Sequence, residues 1–182
     1  MNAGYKRIAC VGAVIGLMLS TDEAARAGVE LEWNAIGRNG WPNVHVEDVY
    51  TRDAAIRALE GASRWLAQAK CQTLFLEFKD ERQVPLTARL RQLKTDPEGY
   101  LRMVLFLDGA DSATCTRHGV LAFTAQGSRV IYLCGRDFER QWRRDVAEVQ
   151  ATVIHEMLHS LGLGENPPSP RAITHRIQQL WW

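Results

Sequence analysis

The sequence predicts an α+β fold, a mixed, twisted β-sheet packed with helices, and three observations carry that expectation. A helical apolar period runs over residues 51–70, two short apolar runs meet at Gly127-Ser128 as in a hairpin, and a stronger helical period spans residues 146–161. A helix first, then strands, then a final helix is the order of an α+β layer structure rather than of strictly alternating strand and helix units. The chain has 182 residues, 46% hydrophobic and 24% charged, the composition of one globular domain.

The elements follow in chain order. Residues 29–49 mix short apolar stretches with Gly and Pro and are expected to hold an early strand and a loop. In the first helix Ala55, Ile56, Leu59, Ala62, Trp65 and Leu66 recur at three- and four-residue spacing, with Asp53 near the start, where an acid suits the helix dipole. Residues 73–78 read as a strand, 84–93 as a short helix begun at Pro85, and 103–108 as another apolar strand. Residues 120–126 and 129–134 flank Gly127-Ser128, a two-residue connection with Gly first that suits a type II′ turn. A charged stretch, 137–145, leads into the periodic helix. Ser169 and Pro170 then make a helix start, with Ile173, Ile177, Leu180 and Trp181 along one face. Trp181 and Trp182 are expected to cover the core or the back of a cleft.

The first residues read as an export signal. Lys6 and Arg7 precede an apolar stretch over residues 8–19, and Ala25-Arg26-Ala27 places small residues where a signal peptidase reads, so cleavage before Gly28 is expected. An uncleaved anchor helix is the alternative, but the apolar stretch is short for a span. The expected layout is a signal peptide at 1–27 and one domain at 28–182, secreted or periplasmic. Without residues 1–27 the domain carries 19 basic and 19 acidic residues. No basic field draws it to nucleic acid, and no membrane insertion is expected after cleavage. Three of the four cysteines remain, Cys71, Cys115 and Cys134, in an oxidising compartment. Cys115 with Cys134 is the favoured disulfide because both flank one hairpin.

The chemistry lies in the last third. His155-Glu156-Met157-Leu158-His159 is an HExxH pattern. Residues four apart share one helix face, so both imidazoles can reach one metal ion. On a helical wheel Val146, Val149, Val153, Ile154, Met157, Leu158 and Leu161 form one arc; His155 and His159 lie opposite with Glu148 and Thr152, and Glu156 falls at the flank. The helix is therefore expected to turn an apolar face to the sheet and the histidines to a cleft. Five residues alone also suit two solvated histidines, but the run continues to HExxHxxGxxE. Gly162 can take the left-handed conformation that stops a helix and returns Glu165 toward the histidines. Two histidines and a carboxylate, with a fourth position open, form a known catalytic zinc set. His175 is the competing third ligand, although its helix pattern favours a solvated side chain. His45 and His118 lie in poorly patterned segments and are expected at the surface.

HEMLHSLGLGE resembles the active-site helix and turn of the metzincin zinc endopeptidases, whose pattern is HExxHxxGxx followed by His or Asp. The resemblance covers these eleven residues and the helix-first, strand-rich order before them. It implies a minimal metzincin-like, zincin architecture, one catalytic zinc ion on His155, His159 and Glu165, and Glu156 as general base for hydrolysis of a protein or peptide substrate. Glu replaces the usual third ligand, and no methionine follows Glu165 to make the family's Met-turn. A cleft of this type adds an extended peptide to a sheet edge, for which the hairpin containing residues 129–134 is the candidate. The expected protein is a monomer, active once exported or held by a separate inhibitor protein. A zinc amidase acting on cell-wall peptides and an exported binding domain with a non-catalytic metal site are the other readings.

Overall fold

A computed structural model describes residues 40–165 and 167–181. The signal peptide and the start of the expected domain, through residue 39, lie outside the described residues, as do Asn166 and Trp182. Among the described residues there are seven α-helices and a four-stranded mixed sheet. The strands are β1 (Val44–His45), β2 (Leu105–Asp108), β3 (Ala122–Thr124) and β4 (Val130–Leu133), in the order β1-β2-β4-β3. β1, β2 and β4 are mutually parallel, with Phe106 opposite Ile131, and β3 runs antiparallel to β4, with Phe123 opposite Tyr132.

The first long helix, α1 (Val49–Leu66), is capped by Asp48, whose carboxylate accepts from the Thr51 amide at 2.7 Å; Asp53 lies inside the helix. Its predicted apolar face is buried from Ala54 to Leu66. The expected strand at 73–78 is instead helix α2 (Gln72–Glu77), entered through a 3₁₀ turn at Ala69–Cys71. A Thr-Leu-Phe-Leu-Glu-Phe run reads as alternation if Leu74, Leu76 and Phe78 share a face. The core takes Leu74 and Phe75 and leaves Leu76 57% exposed, a helical choice that so short a run does not decide by itself. Helix α3 (Leu86–Gln92) begins after Pro85 as expected, and α4 (Pro97–Leu101), capped by Asp96 on the Gly99 amide, was not legible.

The hairpin holds, with shorter strands and a different turn. Ser128 N–H donates to the Ala125 carbonyl at 2.9 Å, which puts Gly127, at φ +75°, third in the turn. That is the type II pattern, in which the left-handed residue comes second of the central pair rather than first. Cys115 and Cys134 form the favoured disulfide, with Cα atoms 5.1 Å apart, and Cys71 is free and buried.

The charged stretch before the motif is itself helix α5 (Gly135–Arg144). Phe138 is fully buried and Trp142, four residues on, packs partly against the core, while Asp137–Arg140 and Glu139–Arg143 ion pairs line the surface. Two apolar anchors in ten residues are too few to announce a helix. Helix α6 (Val146–Ser160), capped by Asp145 on the Glu148 amide, packs against α1, α5, β3, β4 and the last helix, α7 (Pro170–Trp181). Ile173 and Ile177 seat α7, and Trp181 stacks on Trp65 with ring centroids 5.3 Å apart, so it covers the core as expected.

Candidate metal centre

Helix α6 supplies two of the donors. The wheel predicted a split helix, but every residue from position 153 to 160 is buried, His155 and His159 included. α7 and β3 pack against this helix, so its C-terminal half is enclosed and the histidines do not face open solvent, although Val146 at its start is exposed.

The helix ends where Gly162 takes φ +114°, a conformation that costs an L side chain backbone strain. The turn is held by the Gly162 N–H on the His159 carbonyl, the Leu163 N–H on the Leu158 carbonyl, and Gln126 Nε2, which donates to the Gly162 carbonyl at 2.7 Å. Glu165 thereby returns to the histidines, as the sequence predicts. Its Oε1 lies 3.2 Å from His159 Nε2 and 3.8 Å from His155 Nε2, and the two Nε2 atoms are 2.9 Å apart.

The three donor atoms converge closely enough that they could hold one metal ion. Tetrahedral zinc ligands at roughly 2.0–2.2 Å would hold their donor atoms about 3.3–3.6 Å apart, and the observed separations lie a few tenths of an ångström to either side of that range. Among the described residues this is the one group of three His, Cys, Asp or Glu side chains that converges in this way. His175, the other candidate, is exposed on α7 and outside the group; His45 and His118 are exposed as expected.

The far nitrogens of both rings are engaged. His159 Nδ1 lies 2.8 Å from the Leu163 carbonyl, which can only accept, so Nδ1 carries the proton and Nε2 offers its lone pair to the site. His155 Nδ1 lies 2.9 Å from the Thr174 hydroxyl. Burial, then the neighbouring His159, push His155 down to about 4, so at neutral pH it is in the uncharged form that binds metal.

Glu156 sits beside the donors and is itself buried. Burial, then the charge of Glu165, push its carboxyl up to about 8, against the opposing effect of a backbone hydrogen bond from Thr124. That amide belongs to β3. The Cys134 N–H donates to the Leu121 carbonyl, and alternation along an antiparallel strand then turns the backbone groups of Ala122 and Thr124 away from β4. Among the described residues no strand pairs with that side of β3. The hairpin containing residues 129–134, the candidate edge, does lie at the side of the sheet; within it β4 is paired on both sides and β3 is the edge strand.

Three members of the surroundings were not read from the sequence: the Thr124 amide, the Leu163 carbonyl and the Thr174 hydroxyl. Two are backbone groups, which no residue pattern marks. The third lies one position before His175, the competing candidate on the same helix.

Compared with known proteins, the chain matches no family model, no curated protein and no solved structure.

Proposed function

We propose that the chain is an exported zinc metallopeptidase of metzincin-like type, with His155, His159 and Glu165 as ligands and Glu156 as general base. The observation that carries the reading is the convergence of two buried imidazoles and one carboxylate beside a separate buried carboxylate and an edge strand.

Each group has a part in hydrolysis. The ligands hold the ion, and a bound zinc supplies Lewis acidity toward a carbonyl and lowers the pKa of a water. Glu156, whose raised carboxyl the charge of a bound cation would bring back to the carboxylate form, would take the proton of the attacking water and return it to the leaving amine as the C–N bond breaks. β3 supports binding of an extended peptide, because strand addition beside Thr124 brings a backbone carbonyl toward Glu156. The neutral charge balance of residues 28–182 leaves selection to the shape of this cleft rather than to long-range steering.

The test is metal content with peptide hydrolysis. The purified chain is expected to carry one zinc and to cleave an unstructured protein such as casein. Glu156→Gln keeps the zinc and loses hydrolysis, by roughly 100-fold or more. Cleavage of peptidoglycan fragments alone would move the reading to a cell-wall amidase, zinc without hydrolysis to a non-catalytic metal domain, and full activity in Glu156→Gln would remove the mechanism.

A further inference from the structure

The last helix brings a hydroxyl to the one ligand whose tautomer the main chain does not fix. His159 is set by a carbonyl, which accepts and nothing else. His155 Nδ1 instead meets Thr174 Oγ1 at 2.9 Å, and a hydroxyl can donate or accept. Metal binding through His155 Nε2 requires the proton on Nδ1, so in that state the Thr174 oxygen must be the acceptor.

Thr174 is held firmly enough for this part. The residue before it, Ile173, and the one three positions on, Ile177, are fully buried. Arg176 bonds Glu77 on α2 through Nε at 2.7 Å and through a second guanidinium nitrogen, and Lys70 Nζ donates to the Trp181 carbonyl at 3.2 Å. Helix α7 is thus tied to α2 through Arg176 and to the 3₁₀ turn before α2 through Trp181, both beyond Thr174, while Ile173 seats the residue just before it.

We propose that Thr174 is a positioning residue for the metal centre: its hydroxyl oxygen accepts a hydrogen bond from His155 Nδ1–H, orients the ring, and makes zinc affinity depend on α7 being docked. The inference rests on the zinc reading above but not on peptide hydrolysis. It adds to the eleven-residue motif a member contributed from 19 residues beyond His155.

The experiment compares Thr174→Val, Thr174→Ser and the full wild-type chain. Valine keeps the branched shape and removes the hydroxyl, so the helix and the Ile173 and Ile177 seats should survive, which urea denaturation in the presence of chelator checks. Zinc dissociation constants are measured by chelator competition, and side-chain ¹⁵N spectra of the zinc-loaded proteins report the His155 tautomer. Thr174→Val is expected to bind zinc roughly 10-fold more weakly. Thr174→Ser should stay near wild type, and His155 should be protonated at Nδ1 in the wild-type spectrum.

Wild-type affinity in Thr174→Val overturns the proposal. So does an equal loss in Thr174→Ser, which would assign the effect to the methyl group's packing, or a His155 Nδ1 without a proton. Zinc binding that follows the expected pattern in a chain that cleaves no peptide leaves the proposal standing and defeats the peptidase reading. Absence of zinc binding in the wild type defeats both.

Discussion

His155, Glu156 and His159 lie in the fully buried C-terminal half of a helix, whereas Glu165 sits on a loop with 42% of its side chain exposed. The helical half is fixed by packing against α1, α5, α7, β3 and β4. The loop half is fixed by backbone geometry: a glycine at φ +114°, a bridge between Leu163 and Asp80, and the Gln126 amide on the Gly162 carbonyl. The difference teaches that the histidine pair is preorganised by the same contacts that fold the domain, while the carboxylate is an attachment the fold can lose. Removing a ligand from each half should therefore have different consequences.

The largest effect breaks the helical half. His159→Ala is expected to abolish zinc retention through gel filtration and also to lower the stability of the chelated protein, because the Leu163 carbonyl loses its buried donor, a cost of about 1–3 kcal/mol. Glu165→Gln should weaken zinc binding by a larger factor than the roughly 10-fold expected of Thr174→Val, yet leave the chelated protein's urea midpoint unchanged. A midpoint that falls equally in both variants would show the loop to be as integral to the fold as the helix.

Gly162→Ala tests what holds the loop. An added Cβ has room, since its nearest neighbour would be the Asp80 Cβ at 3.5 Å, so the cost is the backbone conformation itself. That cost is about 1–3 kcal/mol, which lowers the thermal midpoint by on the order of 5 °C. Zinc affinity should fall with it, because Leu163 and Glu165 both follow the strained residue. An unchanged midpoint and affinity would mean that the turn relaxes without moving its ligands.

The same contrast explains what could be read in advance. The convergence of His155, His159 and Glu165 was legible because their spacing is local: four residues on a helix, then a glycine and a short return. The first helix, the hairpin and its disulfide were legible because periodicity and turn residues are local too. What escaped depends on partners distant in the chain. Residues 72–77 chose helix over strand according to which leucine the core admits, and α5 stands on two anchors, Phe138 and Trp142, that the sequence surrounds with charge. The enclosure of His155 and His159 by β3 and α7 could not be seen on a wheel, which shows the helix and not what covers it. For the same reason His175, with the more suggestive side chain, drew notice while Thr174 did not.

The smallest effect concerns the strap on α7. Arg176 and Glu77 form a two-point ion pair, and the guanidinium's hydrogen bond holds the Glu77 carboxyl below its ordinary range. A carboxylate depressed in the folded state contributes stability that is fully present above its unfolded pKa and lost as pH falls through the folded value. Both side chains are a third or more exposed, so water screens the pair and its contribution is at most about 1 kcal/mol, or roughly 3 °C at neutral pH. Arg176→Ala should show that deficit at pH 7 and converge on wild type only as pH falls through the depressed folded value of Glu77, below which the carboxyl is protonated in either protein. Ile173, Ile177 and the Trp65–Trp181 stack remain to seat the helix, so zinc affinity should change less than in Thr174→Val. If Arg176→Ala instead weakens zinc as much as Thr174→Val does, the docked position of α7, rather than the hydroxyl it carries, is what the enclosed half of the site requires.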